Sequence, residues 1–146
     1  MVIGFQTDRT GGNAQIKNPS EFDHCEVQDI YVVINSVRYP AVGMKLNFTG
    51  RRVSQAYKML AEFKASAYGL TEASCQITPL EFIARYPLFV LDLRRQPERL
   101  KNSVQDITLK AEFLNAVGAN TIAYALMISD RLLHLKSDGS KFDLIY

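Results

Sequence analysis

The chain has 146 residues, of which 47% are apolar and 22% are charged, and its 17 basic and 15 acidic residues give a formal net charge of +2. A chain of this length buries about two-thirds of its unfolded surface, so it can hold a core without a disulfide framework or a metal. The apolar content argues against intrinsic disorder, and the small net charge does not indicate a dedicated nucleic-acid-binding protein. We therefore expect one globular domain over residues 1–146.

No segment of the sequence indicates export or membrane insertion. Met1–Gln6 lacks the basic start and apolar middle of a secretory signal. The longest uncharged run, residues 113–129, is shorter than the roughly 20 apolar residues that span a bilayer. Cys25 and Cys75 lie in neither a Cys-x-x-Cys nor a metal-ligand spacing, so they are predicted to be two buried thiols in a reducing compartment, the cytoplasm or nucleus.

The first strand signals fall near the N-terminus. Residues 2–6 form a β-rich run, and residues 29–34 and 37–39 predict a hairpin around Asn35-Ser36. Pro40 removes the next backbone donor, so the hairpin is expected to end there.

One segment near the middle has helical periodicity. Its apolar residues recur at three- and four-residue spacing, which predicts an α-helix from about residue 52 to residue 67. Thr49 is the expected cap, and Gly69 stands where a left-handed residue commonly ends a helix. The apolar positions are Val53, Ala56, Tyr57, Leu60, Phe63 and Ala67.

The C-terminal half returns to β patterns. After a β-rich run at residues 87–93, apolar and polar residues alternate strictly from 107 to 113, which predicts a strand with one buried face. Residues 121–128 are apolar or small on both faces, so this strand is predicted to lie centrally in a sheet. Residues 131–136 and 141–146 flank an Asp-Gly turn and predict a last hairpin. Short strands with turn signals between them indicate an all-β fold, a β-sandwich or a barrel.

Few residues are candidates for catalysis. Asp23-His24-Cys25-Glu26 places four reactive side chains together, but consecutive residues of an extended chain point to alternate sides and would not converge on a substrate. His134 is expected to face solvent or a satisfied partner, and only His24 could join it as an imidazole ligand, so no metal site is predicted. Gly11-Gly12-Asn13 matches no phosphate-binding pattern and is predicted to be a loop. The prediction is a protein that is not an enzyme and needs no cofactor.

A basic cluster follows the run at residues 87–93. Arg94, Arg95, Arg99 and Lys101 fall within eight residues and are candidate contacts for nucleic-acid phosphates. Neighbouring acidic residues dilute this charge, and no regular aromatic interleaving offers base stacking. A solvated loop is the favoured interpretation, and nucleic-acid contact is the alternative.

Several stretches, taken in order, carry a resemblance to a known family. They are Val2–Phe5 with the following Gly-Gly-Asn loop, Asn18–Phe22, Asp29–Pro40, Val53–Phe63 with its Ala56-Tyr57 pair, Phe89–Leu93, Ile107–Phe113, Thr121–Met127 with Ala123-Tyr124, and Phe142–Tyr146. In order and spacing they resemble the C-terminal half of the double jelly-roll major capsid proteins of Polinton (Maverick) elements and adintovirus-like viruses. The sequence departs from the family pattern in two loops. After Asp92-Leu93, relatives tend to have Thr-Pro, whereas this sequence has Arg94-Arg95-Gln96-Pro97. Near the end, relatives have an acidic hairpin, whereas this sequence has Leu135–Gly139.

The resemblance implies a fold and a function. The expected fold is a β-sandwich, a single eight-stranded antiparallel jelly roll with one inserted α-helix at about residues 52–67. The expected function is that of a structural capsid module in a virion, whose partners are other copies of itself or related capsid jelly-roll domains. The resemblance also leaves open whether the chain is a fragment of a longer capsid protein or a one-domain descendant. The alternative function is a ligand-binding module of lectin- or cytokine-like type, with the Gly11-Gly12-Asn13 and Arg94 to Lys101 loops as its walls.

Overall fold

The structure, a computed structural model, describes residues 1–9, 16–94, 106–129, 134–137, 139 and 142–145. Within these residues it contains eight strands and two helices. In chain order they are β1 (Val2–Thr7), β2 (Val27–Ile34), β3 (Val37–Tyr39), α1 (Ser54–Tyr68), α2 (Pro79–Ala84), β4 (Phe89–Val90), β5 (Ile107–Phe113), β6 (Thr121–Leu126), β7 (His134–Ser137) and β8 (Phe142–Ile145).

The strands form two three-stranded sheets and one two-stranded ribbon. The strand orders are β4-β1-β6, β3-β2-β5 and β7-β8, and every pairing is antiparallel. Consecutive strands β1 and β2 lie in different sheets, as do β5 and β6, so the chain crosses between the two layers. The prediction of an all-β sandwich is confirmed.

The core consists of residues from both sheets and both helices. Alternate residues of β2 are buried, and the rings of Phe5 and Phe113 meet edge to face at 5.4 Å between the two sheets. Aromatic pairs of this geometry are favourable beyond the area that they bury. The largest fully buried side chains include Ile3, Val27, Ile30, Val32, Phe82, Phe89 and Leu91.

The two predicted hairpins are confirmed. Asn35 and Ser36 both have positive φ, at 48° and 69°, as a two-residue turn between right-handed twisted strands requires. β2 pairs with β3 from Val32↔Tyr39 to Ile34↔Val37, and β3 ends before Pro40. β7 pairs with β8 from His134↔Ile145 to Ser137↔Phe142, and Gly139 has a positive φ of 91°. Asp138 of the predicted turn and the outer ends of the predicted strands, residues 131–133 and 146, lie outside the described residues.

The helix prediction is correct except for its cap. α1 begins at Ser54, two residues later than expected, and it ends at Gly69, whose φ of 63° gives the left-handed stop. Val53 is the N-cap, with no side-chain hydrogen bond to the helix. The prediction that Thr49 caps α1 is wrong, because the Thr49 hydroxyl instead donates to Glu26 Oε1 at 3.1 Å.

A second, short helix was not predicted. α2 begins with a capping box, in which Thr78 accepts from the Glu81 backbone N–H and Glu81 accepts from the Thr78 N–H, and Pro79 stands in its first turn. The Thr78 backbone N–H and the Thr78 hydroxyl both donate to the Glu81 carboxylate, and these bonds hold the pKa of Glu81 below its usual value. α2 places Phe82 in the core, where its ring lies 5.7 Å from that of Tyr57 on α1.

The predicted place of the strand at residues 121–128 is wrong. β6 is the edge strand of its sheet, and its residues from Ile122 to Leu126 are exposed. In the described part of the chain β6 pairs only with β1, so no described strand covers its outer edge.

Candidate functional site

The reactive residues at 23–26 lie in a turn, not in an extended strand as predicted. Cys25 and Glu26 have positive φ, at 47° and 51°, so the chain reverses direction there. Asp23, His24, Cys25 and Glu26 therefore line one cleft of about 490 Å³, with α2 and residues 115–118 on its other walls. The premise of an extended chain at residues 23–26 is therefore wrong.

The polar groups of this cleft are engaged with their own chain. Asp23 accepts hydrogen bonds from the Thr7 backbone N–H at 2.7 Å and from Arg9 Nη2 at 3.0 Å. Its carboxylate therefore anchors the end of β1 to the turn.

His24 is positioned as a structural residue of the turn. Its Nδ1 accepts from the Glu26 backbone N–H at 3.0 Å, and its ring stacks on Phe48 at 4.5 Å with an interplanar angle of 6°. The Glu26 carboxylate lies 3.8 Å from Nδ1, which is longer than a hydrogen bond. The geometry therefore does not pair an imidazole base with this carboxylate.

The surroundings of Cys25 favour the protonated thiol over the thiolate. Partial burial raises its pKa, and the nearby Asp23 charge raises it further, while a weak contact with the Thr7 hydroxyl at 3.8 Å lowers it. The thiolate is the reactive form of cysteine, so this environment suppresses its reactivity at neutral pH. Both cysteines are free, and Cys75 is buried as predicted while Cys25 is half-buried.

The basic cluster is only partly described. The Arg94 guanidinium donates two hydrogen bonds to the Asp92 carboxylate, at 3.0 Å each, and one to the Ser66 hydroxyl of α1 at 3.1 Å. Its guanidinium is thus held against the protein's own acidic and polar groups. Arg95, Arg99 and Lys101 lie outside the described residues, as do Gly11-Gly12-Asn13, and nothing is described of the His134 side chain. Nucleic-acid contact stays a prediction.

A second cleft, also of about 490 Å³, opens between the two sheets. Its floor includes Phe5, and its walls include Leu109, Ala111 and Phe113 of β5 with Ala123 of β6. β5 and β6 are edge strands of different sheets and meet at this cleft. We call the outer edges of β5 and β6, together with the cleft between them, the open side.

Exposed apolar side chains also lie on β6 and directly after it. Tyr124 is 48% exposed, Leu126 60%, Met127 49% and Ile128 57%. Tyr124 and Leu126 are on the face of β6 opposite the cleft, because the neighbouring Ala123 lines the cleft. Large exposed apolar patches are typical of interaction sites. The sequence signal for this surface is the uncharged run 113–129, within which residues 121–128 predict a buried central strand rather than an exposed one.

The backbone of the open side also offers unused hydrogen-bonding positions. Asp8 N–H donates to Asn120 O, which fixes the ladder so that Ile122, Tyr124 and Leu126 bond to β1. The N–H and C=O groups of Thr121, Ala123 and Ala125 therefore point away from β1, toward the outer edge of β6. Natural proteins usually protect such an edge with charges, and β6 has none.

In the described residues, neither a metal-binding group of side chains nor a helix able to cross a membrane is found. The site that stands out is the apolar, uncharged sheet edge. The fold is thus a β-sandwich that carries an uncharged sheet edge beside an apolar cleft.

The sequence of the chain matches a model of a known protein family. The family model described as a double jelly roll-like domain matches residues 1–133, which is most of the chain. The protein belongs to the double jelly roll-like domain family. Neither the curated proteins nor the solved structures include a match to it.

Proposed function

We propose that this protein is a structural, capsid-type jelly-roll module that assembles with copies of itself or with related jelly-roll domains. The observation that carries the proposal is the open side, where a sheet edge without charges lies beside an apolar cleft, and where the other face of β6 exposes Tyr124 and Leu126. Membership of the double jelly roll-like family supports it, because the family's name is that of the fold of capsid subunits.

The finer assignment follows from the sequence resemblance. We propose that residues 1–146 form one jelly-roll domain of the kind found in Polinton (Maverick) and adintovirus-like major capsid proteins, and that it acts in a virion without enzymatic activity. Asp23 and His24 already accept hydrogen bonds from backbone N–H groups of the same chain, and the pKa of Cys25 is raised. These features support a non-catalytic role for the cleft lined by residues 23–26.

Light scattering and electron microscopy of the purified chain test the proposal. We expect the average mass to rise with concentration above that of one chain, with ordered oligomers or shell fragments in the images. A strict monomer at high micromolar concentration, both alone and mixed with a related capsid jelly-roll domain, would contradict it.

A further inference from the structure

Two residues of the turn at residues 23–26 hold a backbone conformation that side chains other than glycine rarely adopt. Cys25 has a φ of 47° and Glu26 a φ of 51°, so both lie in the left-handed region. Such a conformation costs free energy and persists only where the surroundings fix it, and it is found at sites that switch between two states. The contacts that hold Glu26 therefore decide whether the turn can change.

One hydrogen bond of the turn uses a histidine side chain as its acceptor. The Glu26 backbone N–H donates to His24 Nδ1 at 3.0 Å, the pattern in which a side chain accepts from the backbone two residues further on. Nδ1 can accept only in the neutral imidazole, because both nitrogens of the protonated ring are donors. This bond is therefore lost when His24 takes up a proton at Nδ1.

The same nitrogen also faces a carboxylate. Glu26 Oε1 lies 3.8 Å from His24 Nδ1, which is longer than a hydrogen bond. A protonated Nδ1 has a hydrogen to donate to this oxygen, and a hydrogen bond between imidazolium and carboxylate is stronger than one between neutral groups. The N–H and the carboxylate of Glu26 thus compete for one nitrogen, and the charge of His24 decides between them.

The His24 ring is held in place in both charge states. It stacks on Phe48 at 4.5 Å with an interplanar angle of 6°, and Phe48 is buried in the core. The face of an aromatic ring also attracts a cation, so a proton on His24 does not drive the ring away from Phe48. The adjustment therefore falls on the backbone at Glu26, where the left-handed conformation lies.

Few charged groups surround this ring in the cleft beside the turn. The titratable residues that line the cleft are Asp23, His24, Cys25 and Glu26, and its other lining residues carry no charge. Asp23 is paired with Arg9 at 3.0 Å, and burial raises the pKa of Cys25, which keeps that thiol uncharged.

The segment that supplies Phe48 adds no charge to the ring's contacts. Its Thr49 hydroxyl donates to Glu26 Oε1 at 3.1 Å, and its Arg51 and Arg52 are exposed. The Glu26 carboxylate is therefore the charged group placed to respond to a proton on His24.

We propose that His24 is a pH-sensitive switch of the turn at residues 23–26. At neutral pH the Glu26 N–H donates to Nδ1 and the turn stays closed. In mild acid Nδ1 donates to the Glu26 carboxylate instead, and the N–H is released. The change reaches the cleft, because the Glu26 C=O accepts from the Leu114 N–H at 2.9 Å and the following residues 115–118 line the cleft. The turn lies within one copy of the chain, so the switch goes beyond the proposed function and does not depend on assembly.

Amide hydrogen exchange followed by NMR between about pH 8 and pH 5, the range in which histidine changes charge, tests the switch. The protection factor of the Glu26 amide is expected to fall about fivefold as the His24 ring titrates, the loss that corresponds to one hydrogen bond. The Asp23 amide donates to Phe5 O at 2.8 Å and is expected to stay equally protected.

A variant at position 24 separates proton uptake from hydrogen bonding. Asn commonly accepts from the backbone N–H two residues further on, so His24→Asn keeps an acceptor for the Glu26 N–H but has no ring to protonate. Its Glu26 amide is expected to be equally protected at pH 8 and pH 5. The variant leaves His134 in place, so a change that disappears in it belongs to His24.

A variant of Glu26 tests the part played by the carboxylate. Glu26→Gln keeps the backbone N–H and removes the charge that favours a proton on the ring, so the midpoint of the exchange is expected to move to lower pH. The matched change Glu62→Gln, at an exposed residue of α1 that pairs with Lys58, is expected to leave the midpoint unchanged.

The possible results are distinct. Constant protection of the Glu26 amide from pH 8 to pH 5 while the His24 ring titrates overturns the switch. The same loss of protection in His24→Asn also overturns it, because that variant cannot take up the proton. A midpoint that does not move in Glu26→Gln overturns the exchange between N–H and carboxylate. None of these results depends on whether the chain assembles.

Discussion

Replacement of Phe82 by alanine is expected to remove a large part of the stability of the sandwich. Phe82 is fully buried on α2, and its ring lies 5.7 Å from Tyr57 and 6.5 Å from Phe48. Truncation of a buried Phe costs about 3–5 kcal/mol, since the side chain's transfer free energy is lost and a cavity remains. The whole free energy of unfolding of a domain is about 5–15 kcal/mol, so this loss is a large fraction of it.

Leu80 on the same short helix provides the matched control. Its side chain is 60% exposed, so Leu80→Ala is expected to cost less than about 1 kcal/mol. Urea unfolding followed by far-UV circular dichroism measures both variants, and we expect Phe82→Ala to be the less stable by about 3 kcal/mol. Equal stabilities would refute the position of α2 as part of the core.

Three further changes test local features of the structure. Gly4→Ala is expected to destabilise the protein by about 1–3 kcal/mol in urea unfolding, because a Cβ there would lie 2.5 Å from a ring carbon of Phe22; an unchanged midpoint would contradict this packing. The Glu81→Gln variant is expected to be less stable than the unchanged protein above pH 4.5 and equally stable in acid. Folding lowers the pKa of Glu81, so the Glu81 charge stabilises the protein above its ordinary pKa. This contribution is lost as the pH falls through the lowered pKa. A deficit independent of pH would contradict the capping role. Alkylation of Cys25 by iodoacetamide is expected to be slower at neutral pH than that of a free thiol and to accelerate only at higher pH, because burial raises its pKa; mass spectrometry showing fast labelling at neutral pH would contradict it.

Local periodicity predicted the regular elements well. The alternation at residues 107–113 gave β5, the helical spacing after Val53 gave α1, and Asn35-Ser36 gave the turn of the first hairpin. These features depend on interactions between residues close in sequence. Their patterns can therefore be recognised in the sequence whatever the tertiary arrangement is.

The errors have distinct physical causes. α2 was missed although Thr78, Pro79 and Glu81 carry a capping-box signature, because six residues are too few to show helical periodicity. The turn at 23–26 depends on positive φ at Cys25 and Glu26, residue types that rarely adopt it, so the sequence offered no sign of it.

The position of β6 was a different kind of error. Its composition predicted a central strand, and the arrangement of strands that decides centre or edge is set by contacts between residues far apart in sequence. The same composition is what now identifies β6 as the candidate interface. The candidate site was therefore visible in the uncharged run, but its nature depended on the topology.

Hydrogen exchange of the β6 backbone, measured at increasing protein concentration, tests the central claim most directly. The amides of Thr121, Ala123 and Ala125 point to the outer edge, and pairing with a second copy protects amides from exchange. We predict that their exchange slows as the chain assembles, while exchange in α1 stays the same. Amides at these three positions that exchange equally fast in the monomer and in the assembled protein would contradict the claim that the open side is the surface of assembly.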